Sequence, residues 1–242
     1  MSGAKKAVEF AEPAVVAEAD GGFSVELDGK PLRSPAGAAI RTRHRAFAEA
    51  IAAEWTGVLS RGKGARVDFD KVPLTRIVGT ALDRIPAKRD AVIDEMLAHA
   101  ETDLLCYRSD QPRDLVARQV AVWQPLLDWL ALTYDARLET HTSLQPPEQP
   151  AASLAALRCA LAGFDDLKLA GLGVAVATTG SLALALALAD GRIDADAAFE
   201  AAELDTLYQI GRWGDDPVLT AKHAAMRRDL ADTQRFFRLA LG

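Results

Sequence analysis

Hydrophobic and polar residues alternate in the first part of the chain. Phe23, Val25 and Leu27 are separated by polar residues, so one face of this segment is expected to be buried and the other to face water. Asp28-Gly29 follows directly, and this dipeptide favours a tight hairpin because glycine accepts the positive φ that such a turn requires. We therefore predict a group of short strands, the others lying at 14–17, 30–33 and 38–42.

The hydrophobic period then changes from that of a strand to that of a helix. Phe47, Ala50, Ile51 and Trp55 recur at helical spacing, and Gly57 is expected to end this first helix. From Leu74 onward the pattern stays helical almost to the end of the chain. The predicted helices cover 74–85, 87–103, 113–134, 151–162, 167–189 (in one or two pieces), 195–212 and 217–241.

Together these patterns predict an α+β fold. A small β-rich N-terminal domain with one helix is expected over 1–73, followed by a larger all-helical C-terminal domain over 74–242. The segment 61–64, with two glycines, is expected to form a mobile loop. The chain has 242 residues, of which 50% are hydrophobic and 26% charged, so it is long enough and apolar enough to bury a sizeable core.

The helix predicted over 113–134 has a clear buried face, with one feature that disturbs it. Pro125 lies within this segment and is expected to kink or restart the helix, because proline cannot donate a backbone hydrogen bond. We interpret Trp123 and Trp129 in this helix, and Trp55 in the first, as core residues. The residues of the predicted face are Leu115, Gln119, Trp123, Leu126, Leu127 and Leu130.

The segment 169–189 contains no charged residue and is as long as a membrane span. Glycine and hydroxyl residues interrupt it, however, and alanine supplies much of its apolar content. Gly180-Ser181 is typical of a junction between two buried elements. We therefore predict that this segment belongs to a soluble core, with a membrane span as the alternative.

Composition and charge exclude several classes of function. A net charge of −6 argues against a general nucleic-acid binder, and no run of five Lys or Arg residues indicates an anionic membrane surface. Cys106 and Cys159 form no CxxC or metal-binding spacing, which favours free, buried thiols in a reducing compartment. The N-terminal segment has acidic residues where a secretory signal has an apolar core. A bacterial cytoplasmic protein, or an already processed one, is expected.

Motifs of catalysis are largely missing from the sequence. It contains no HExxH, no phosphate-binding loop of the GxxxxGK type, no GxSxG and no complete GxGxxG. The best catalytic candidate is Glu95, His99 and Asp103, spaced four residues apart on one predicted helix, which is compatible with a metal-assisted hydrolase. Ordinary ion pairs on a solvated helix face explain the same spacing. We therefore expect no enzyme, no cofactor and no metal.

Near the C-terminal end, a polar stripe and an aromatic residue mark a candidate binding surface. Asp205, Gln209 and Arg212 recur at helical spacing, and Glu203 adds acidic character beside them. Trp213 lies at the predicted helix end between two glycines, where it is either a binding anchor or a plug over the core. From periodicity alone, the polar stripe is an ordinary solvated face.

Several separate blocks of residues, in a fixed order, resemble a known family. This family comprises the assembly chaperones that bind the alpha subunit of the ATP synthase catalytic head before it joins the beta subunit. The DxxCYR and YQxxxWG blocks are the most specific. The blocks are Leu27 to Pro35, Ala52 to Trp55, Val72 to Thr75 with Ala81 and Asp83, Thr102 to Arg108, Gln119 to Trp129, and Leu204 to Gly214.

The resemblance implies a two-domain chaperone that covers the alpha subunit's interface until the beta subunit arrives. From the net charge and the content of 169–189 we also expect no nucleic-acid partner and no membrane insertion. We expect Trp55 to be a structural residue that joins its helix to the β layer, not a contact. The family usually carries glutamate at the position of Asp205, whose side chain has the same charge but a shorter reach. The expected partner-contacting residues are Glu203, Asp205, Gln209, Arg212 and Trp213.

Overall fold

The computed structural model describes residues 13–59, 68–143, 145, 147–214 and 216–240, and its first described elements include a four-stranded antiparallel sheet. Strand β2 pairs with each of the other three strands, and Val15 lies opposite Val25. Asp28 and Gly29 adopt positive φ values of 53° and 70°, which confirms the predicted hairpin turn. The strands are β1 (Ala14–Ala17), β2 (Phe23–Leu27), β3 (Lys30–Pro31) and β4 (Arg41–Thr42), the last two shorter than predicted.

Helix α1 (Arg45–Leu59) packs against this sheet, and its Phe47 and Ile51 are buried. The prediction that Gly57 would end α1 is wrong, because Gly57 lies inside the helix. A glycine in a helix interior costs only about 1 kcal/mol, less than burial of the apolar face of α1 contributes. The predicted loop at 61–64 lies outside the described residues.

Two of the sequence blocks form a single helix cap. Helix α2 (Pro73–Asp83) begins at Pro73, and the Glu54 carboxylate of α1 accepts hydrogen bonds from the Leu74 and Thr75 backbone N–H groups at 2.7 and 3.1 Å. These N–H groups have no partner within their own helix, so an acidic residue there is stabilising. The Trp55 indole donates to Thr75 Oγ1 at 3.1 Å. Trp55 thus joins α1 to α2 through this hydrogen bond.

The other end of α2 is also bound within the N-terminal part of the chain. Asp83 accepts hydrogen bonds from the Ser34 hydroxyl at 2.6 Å and from the Ala36 backbone N–H at 2.9 Å. Contacts divide the chain into compact units at Met1–Asp83 and Arg84–Gly242, ten residues later than the expected boundary. The difference arises because α2 is attached to α1 and to the 34–36 turn.

Eight helices are described in the C-terminal unit, and α7 lies at its centre. Residues 182–188 of α7 are all buried, and α7 packs against α3, α4, α6, α8 and α10. Helix α4 continues through Pro125, and its buried face is the predicted one. The helices are α3 (Ile85–Glu101), α4 (Arg113–Tyr134), α5 (Ala151–Gly163), α6 (Asp166–Thr179), α7 (Leu182–Ala189), α8 (Ala195–Ala202), α9 (Leu204–Trp213) and α10 (Pro217–Ala240).

The long uncharged segment 169–189 is divided between α6 and α7, which confirms the predicted junction at Gly180-Ser181. Gly180 ends α6 with a φ of 70°, a left-handed conformation that glycine adopts without strain. The Ser181 side chain begins α7 by accepting from the Leu184 backbone N–H at 3.0 Å. Among the described residues, no helix has the length and apolar content that a membrane crossing requires.

Candidate partner-binding site

Helix α9 carries most of the expected binding residues. Its buried face consists of Leu204 and Tyr208, four residues apart, and does not include Leu207 and Ile210. Those two side chains are only half-buried. The predicted helix over 195–212 is interrupted at residue 203, between α8 and α9.

Glu203 lies at this interruption and is buried, with 8% of its surface exposed. Its carboxylate accepts from Lys222 Nζ at 3.1 Å and lies 3.2 Å from His223 Nε2, so it joins the start of α9 to α10. Burial raises the pKa of Glu203, but hydrogen bonds from Thr206 and Lys222 outweigh this effect and lower it overall. The role of buried Glu203 is therefore to fix the start of α9 to α10.

Replacing Glu203 with glutamine should lower the free energy of unfolding at pH 7 by about 1–2 kcal/mol, because charge-assisted hydrogen bonds are lost. Since the pKa of Glu203 is lowered on folding, its contribution is complete above the ordinary value of 4.5 and disappears as the pH falls through the folded-state value. The difference between variant and wild type should therefore shrink on acidification in urea unfolding. Glu200→Gln, on the exposed face of α8, is the matched control, and a difference that grows at low pH would contradict this assignment.

Gln119 is buried in α4 and connects it to α9. Its amide nitrogen donates to Asp205 Oδ1 at 2.8 Å and to Ser109 Oγ at 3.1 Å, and its amide oxygen accepts from the Ser109 backbone N–H at 2.8 Å. The Gln119 backbone carbonyl accepts from Arg108 Nη1 at 3.1 Å. Half-buried Asp205 is thus held at a defined position beside the segment 107–109.

Asp114, in the first turn of α4, holds the other end of α9. Both of its carboxylate oxygens lie 2.9 Å from the Tyr208 hydroxyl, and Oδ2 also accepts from Arg212 Nη2 at 3.0 Å. The Arg212 guanidinium lies over the Tyr208 ring, 4.8 Å from its centroid. The hydrogen bond from Tyr208, with a further one from Arg212, lowers the pKa of Asp114. The carboxylate is therefore ionised where it meets the Arg212 cation.

Trp213 does not cover the core, since 77% of its surface is exposed. Gly214 follows with a φ of 91° and ends the helix there. Val218, at the start of α10, is 78% exposed, and Gln209 is exposed one helical turn before Trp213. An exposed aromatic side chain thus lies at the end of α9, beside a polar helix face, and an exposed aliphatic side chain lies at the start of α10.

The metal site considered for Glu95, His99 and Asp103 is not formed. Helix α3 ends at Glu101, and the Asp103 side chain is fully buried against Ser181, whereas Glu95 pairs with Arg84 on the surface. Among the residues that the structure describes, no three His, Cys, Asp or Glu side chains are grouped so that they could hold a metal ion. The three side chains therefore do not form the metal site on which the alternative of a metal-assisted hydrolase depends.

The two cysteines differ in their surroundings. Cys106 is buried, and burial raises the pKa of its thiol to about 12, so it stays protonated at neutral pH. Cys159 is exposed, which corrects the expectation that both thiols are buried. Its position on α5 is outside the α9 surface described above.

Sequence reasoning missed the roles of Gln119 and Asp114. Gln119 belonged to the predicted buried face of α4. A polar residue on such a face could have indicated a hydrogen-bonding role, because buried amides require partners. Asp114 gave no such signal. Its partners lie 94 and 98 residues away in the chain, beyond the reach of local periodicity.

Comparisons with known proteins agree with this fold. A family model described as the ATP12 chaperone protein matches residues 6–131, just over half of the chain. Protein atp12, mitochondrial, from Schizosaccharomyces pombe is 23% identical over 212 residues, covering 81% of this chain and 69% of that protein.

The structural relatives are more similar. Atp12 from Paracoccus denitrificans is 35% identical, with a TM-score of 0.84 over 96% of this chain and 97% of that one. An aspartate-to-lysine mutant of the P. denitrificans protein has the same TM-score and coverage at 34% identity. The protein is therefore an assembly chaperone for ATP synthase. It belongs to the ATP12 chaperone family.

Proposed function

We propose that this chaperone binds the unassembled alpha subunit of ATP synthase and masks its interface until the beta subunit joins. The contact surface consists of the outward side chains of α9, including its C-terminal end. Buried Glu203 is not part of this surface, but its contacts with α10 hold the start of α9 in place. The observation that carries this proposal is the exposure of Trp213 beside a polar helix face. The surface residues are Asp205, Gln209, Arg212 and Trp213.

The physical properties of this surface suit reversible masking. A large exposed aromatic side chain supplies binding free energy by desolvation, and surrounding polar groups keep the free chaperone soluble. Binding to an unassembled interface suppresses self-association by mass action and needs neither ATP hydrolysis nor another catalysed step. The chaperone thus acts by binding and is not expected to turn over a substrate.

Co-expression with the alpha subunit alone tests this proposal. The alpha subunit should be recovered in soluble form, bound to the chaperone, only when the chaperone is present. Added beta subunit should then displace the chaperone from the alpha subunit. An alpha subunit that stays insoluble with the chaperone present would overturn the proposal.

The cytoplasmic location expected from the sequence stays a prediction, since the S. pombe relative is named as mitochondrial.

Replacing Asp205 with lysine should weaken binding of the alpha subunit at least tenfold, about 1.4 kcal/mol, through reversal of charge at the surface. The same change removes one hydrogen bond of Gln119, so a loss of stability of about 1 kcal/mol is also expected. Calorimetric titration of the alpha subunit and urea unfolding measure the two effects separately.

Two variants control for this experiment. Asp205→Asn keeps an oxygen acceptor for Gln119, so its unfolding free energy should be close to that of the wild type. Its affinity for the alpha subunit should lie between those of the wild type and Asp205→Lys. Asp90→Lys introduces the same charge change on an exposed residue of α3 and should bind like the wild type. If Asp90→Lys weakens binding as much as Asp205→Lys, net charge rather than the α9 surface governs the interaction.

A further inference from the structure

Two arginine side chains from different helices lie over the ring of Tyr208. The Arg212 guanidinium of α9 lies 4.8 Å from the ring centroid, and the Arg118 guanidinium of α4 lies 5.5 Å from it. Tyr208 is buried, with 7% of its surface exposed, whereas both arginines are exposed. The ring of Tyr208 therefore brings two cations to the same part of the protein surface.

The charges around Tyr208 do not balance. Arg212 Nη2 donates to Asp114 Oδ2 at 3.0 Å, whereas Arg118 forms no ion pair with any residue that the structure describes. Asp114 thus neutralises the two cations only in part, although the protein as a whole has a net charge of −6. This local excess of positive charge attracts an anion, and the exposed Arg118 guanidinium has donors available to bind it.

The helix dipole does not explain the position of Arg118. Asp205 lies in the first turn of α9 and Arg212 in its last turn, where their charges suit the dipole of their own helix. Arg118 lies near the start of α4, where the dipole of that helix does not favour a cation. The α9 surface is negative at Asp205 and positive at Arg212, about 10 Å further along the helix axis, and Arg118 adds to its positive end.

We propose that Arg118, together with Arg212, binds an acidic side chain of the client polypeptide and so determines which segment of the client faces the end of α9. A guanidinium binds a carboxylate through two parallel hydrogen bonds, which favours Asp or Glu over a neutral side chain. Because Asp205 carries the opposite charge at the start of α9, a client segment with separated basic and acidic residues docks in one direction. This inference rests on the proposed function, since the client is the alpha subunit.

A peptide titration tests the chemistry of this surface without the alpha subunit. A blocked peptide of four glutamates is added to isotope-labelled chaperone while the Nε–H signals of the arginines are followed by NMR. Saturable shifts are expected at Arg118 and Arg212 but not at exposed Arg137, which follows the opposite end of α4. A blocked peptide of four glutamines should cause none of these shifts. Equal shifts with both peptides, or no saturable shift with the glutamate peptide, would overturn the proposal.

Association kinetics then test the role of Arg118 in client capture. Arg118→Glu should lower the association rate constant with the alpha subunit about tenfold in 0.1 M salt. The difference should shrink to about twofold in 1 M salt, because the Debye length falls from about 10 Å to about 3 Å. Arg118→Lys keeps the charge and should retain most of the wild-type rate. Arg137→Glu makes the same charge change outside the surface and should associate like the wild type.

The outcomes distinguish the two proposals. If the wild type binds the alpha subunit and Arg118→Glu associates equally fast, Arg118 is not a client contact, but the proposed function stands. A loss of rate that is the same at both salt concentrations, with a lower melting temperature, would assign Arg118 a structural role and contradict the inference. If the wild type does not bind the alpha subunit, the proposed function fails, while the peptide titration still decides whether this surface binds carboxylates.

Discussion

Replacing Asp103 with alanine should destabilise the protein by about 3–5 kcal/mol, because several buried donors lose their acceptor at once. The fully buried carboxylate accepts from the Ser181 hydroxyl at 2.7 Å, from the Leu105 N–H at 3.0 Å and from the Ala183 N–H at 3.1 Å. Burial raises the pKa of Asp103, whereas these hydrogen bonds oppose that effect. The carboxylate thus joins the end of α3 to the start of α7 in the centre of the unit.

Urea unfolding followed by circular dichroism measures this loss. Asp90→Ala removes an exposed carboxylate from the same region of the chain and should change the unfolding free energy by less than about 0.5 kcal/mol. Asp103→Asn keeps one oxygen acceptor but turns an amide N–H₂ toward the backbone donors, so an intermediate loss is expected. If Asp103→Ala is as stable as Asp90→Ala, the central role of this carboxylate is wrong.

Replacing Trp213 with alanine should weaken binding of the alpha subunit by about 2 kcal/mol, roughly thirtyfold, if α9 forms the contact surface as proposed. Its side chain is 77% exposed, so truncation removes little core contact, and the unfolding free energy should change by less than about 0.5 kcal/mol. Calorimetric titration with purified alpha subunit and thermal unfolding measure the two effects.

Leu132 offers a matched control, since it is 87% exposed near the C-terminal end of α4. Leu132→Ala removes a comparable exposed apolar group outside the proposed surface and should leave binding unchanged. A similar loss of affinity in both variants would indicate that exposed apolar area in general, rather than the end of α9, drives capture. A Trp213→Ala variant that binds like wild type would remove Trp213 from the contact surface.

Much of the fold follows from local patterns in the sequence. The bounds of β1 and β2, the hairpin at Asp28-Gly29 and the buried face of α4 agree with the structure, because each depends on residues close together in the chain. Gly57 was misjudged, since a helix tolerates an interior glycine when its other face is buried. The division between α8 and α9 was also missed. Glu203 has a φ of −103° and a ψ of 19° there, and its carboxylate contacts Lys222 and His223, which lie 19 and 20 residues later in the chain.

The candidate site was less accessible to sequence reasoning. Periodicity grouped Asp205, Gln209 and Arg212 on one helix, and the structure does place Gln209 and Arg212 on the surface. Periodicity did not reveal that Asp205 accepts a hydrogen bond from Gln119, 86 residues earlier in the chain. Asp103 was misassigned for the same reason, since α3 ends before it and a distant serine determines where its carboxylate points.

The attachment of Arg212 and Tyr208 to Asp114 has a consequence for affinity. Arginine normally loses much rotational freedom when it enters an interface, and that loss weakens binding by about 0.5–1.5 kcal/mol for each side chain that is immobilised. Here the two side chains already share one carboxylate and stack on each other in the free chaperone. Their arrangement is thus already present in the folded chaperone, so a chain that docks at this end of α9, as proposed, would meet a partly preorganised surface.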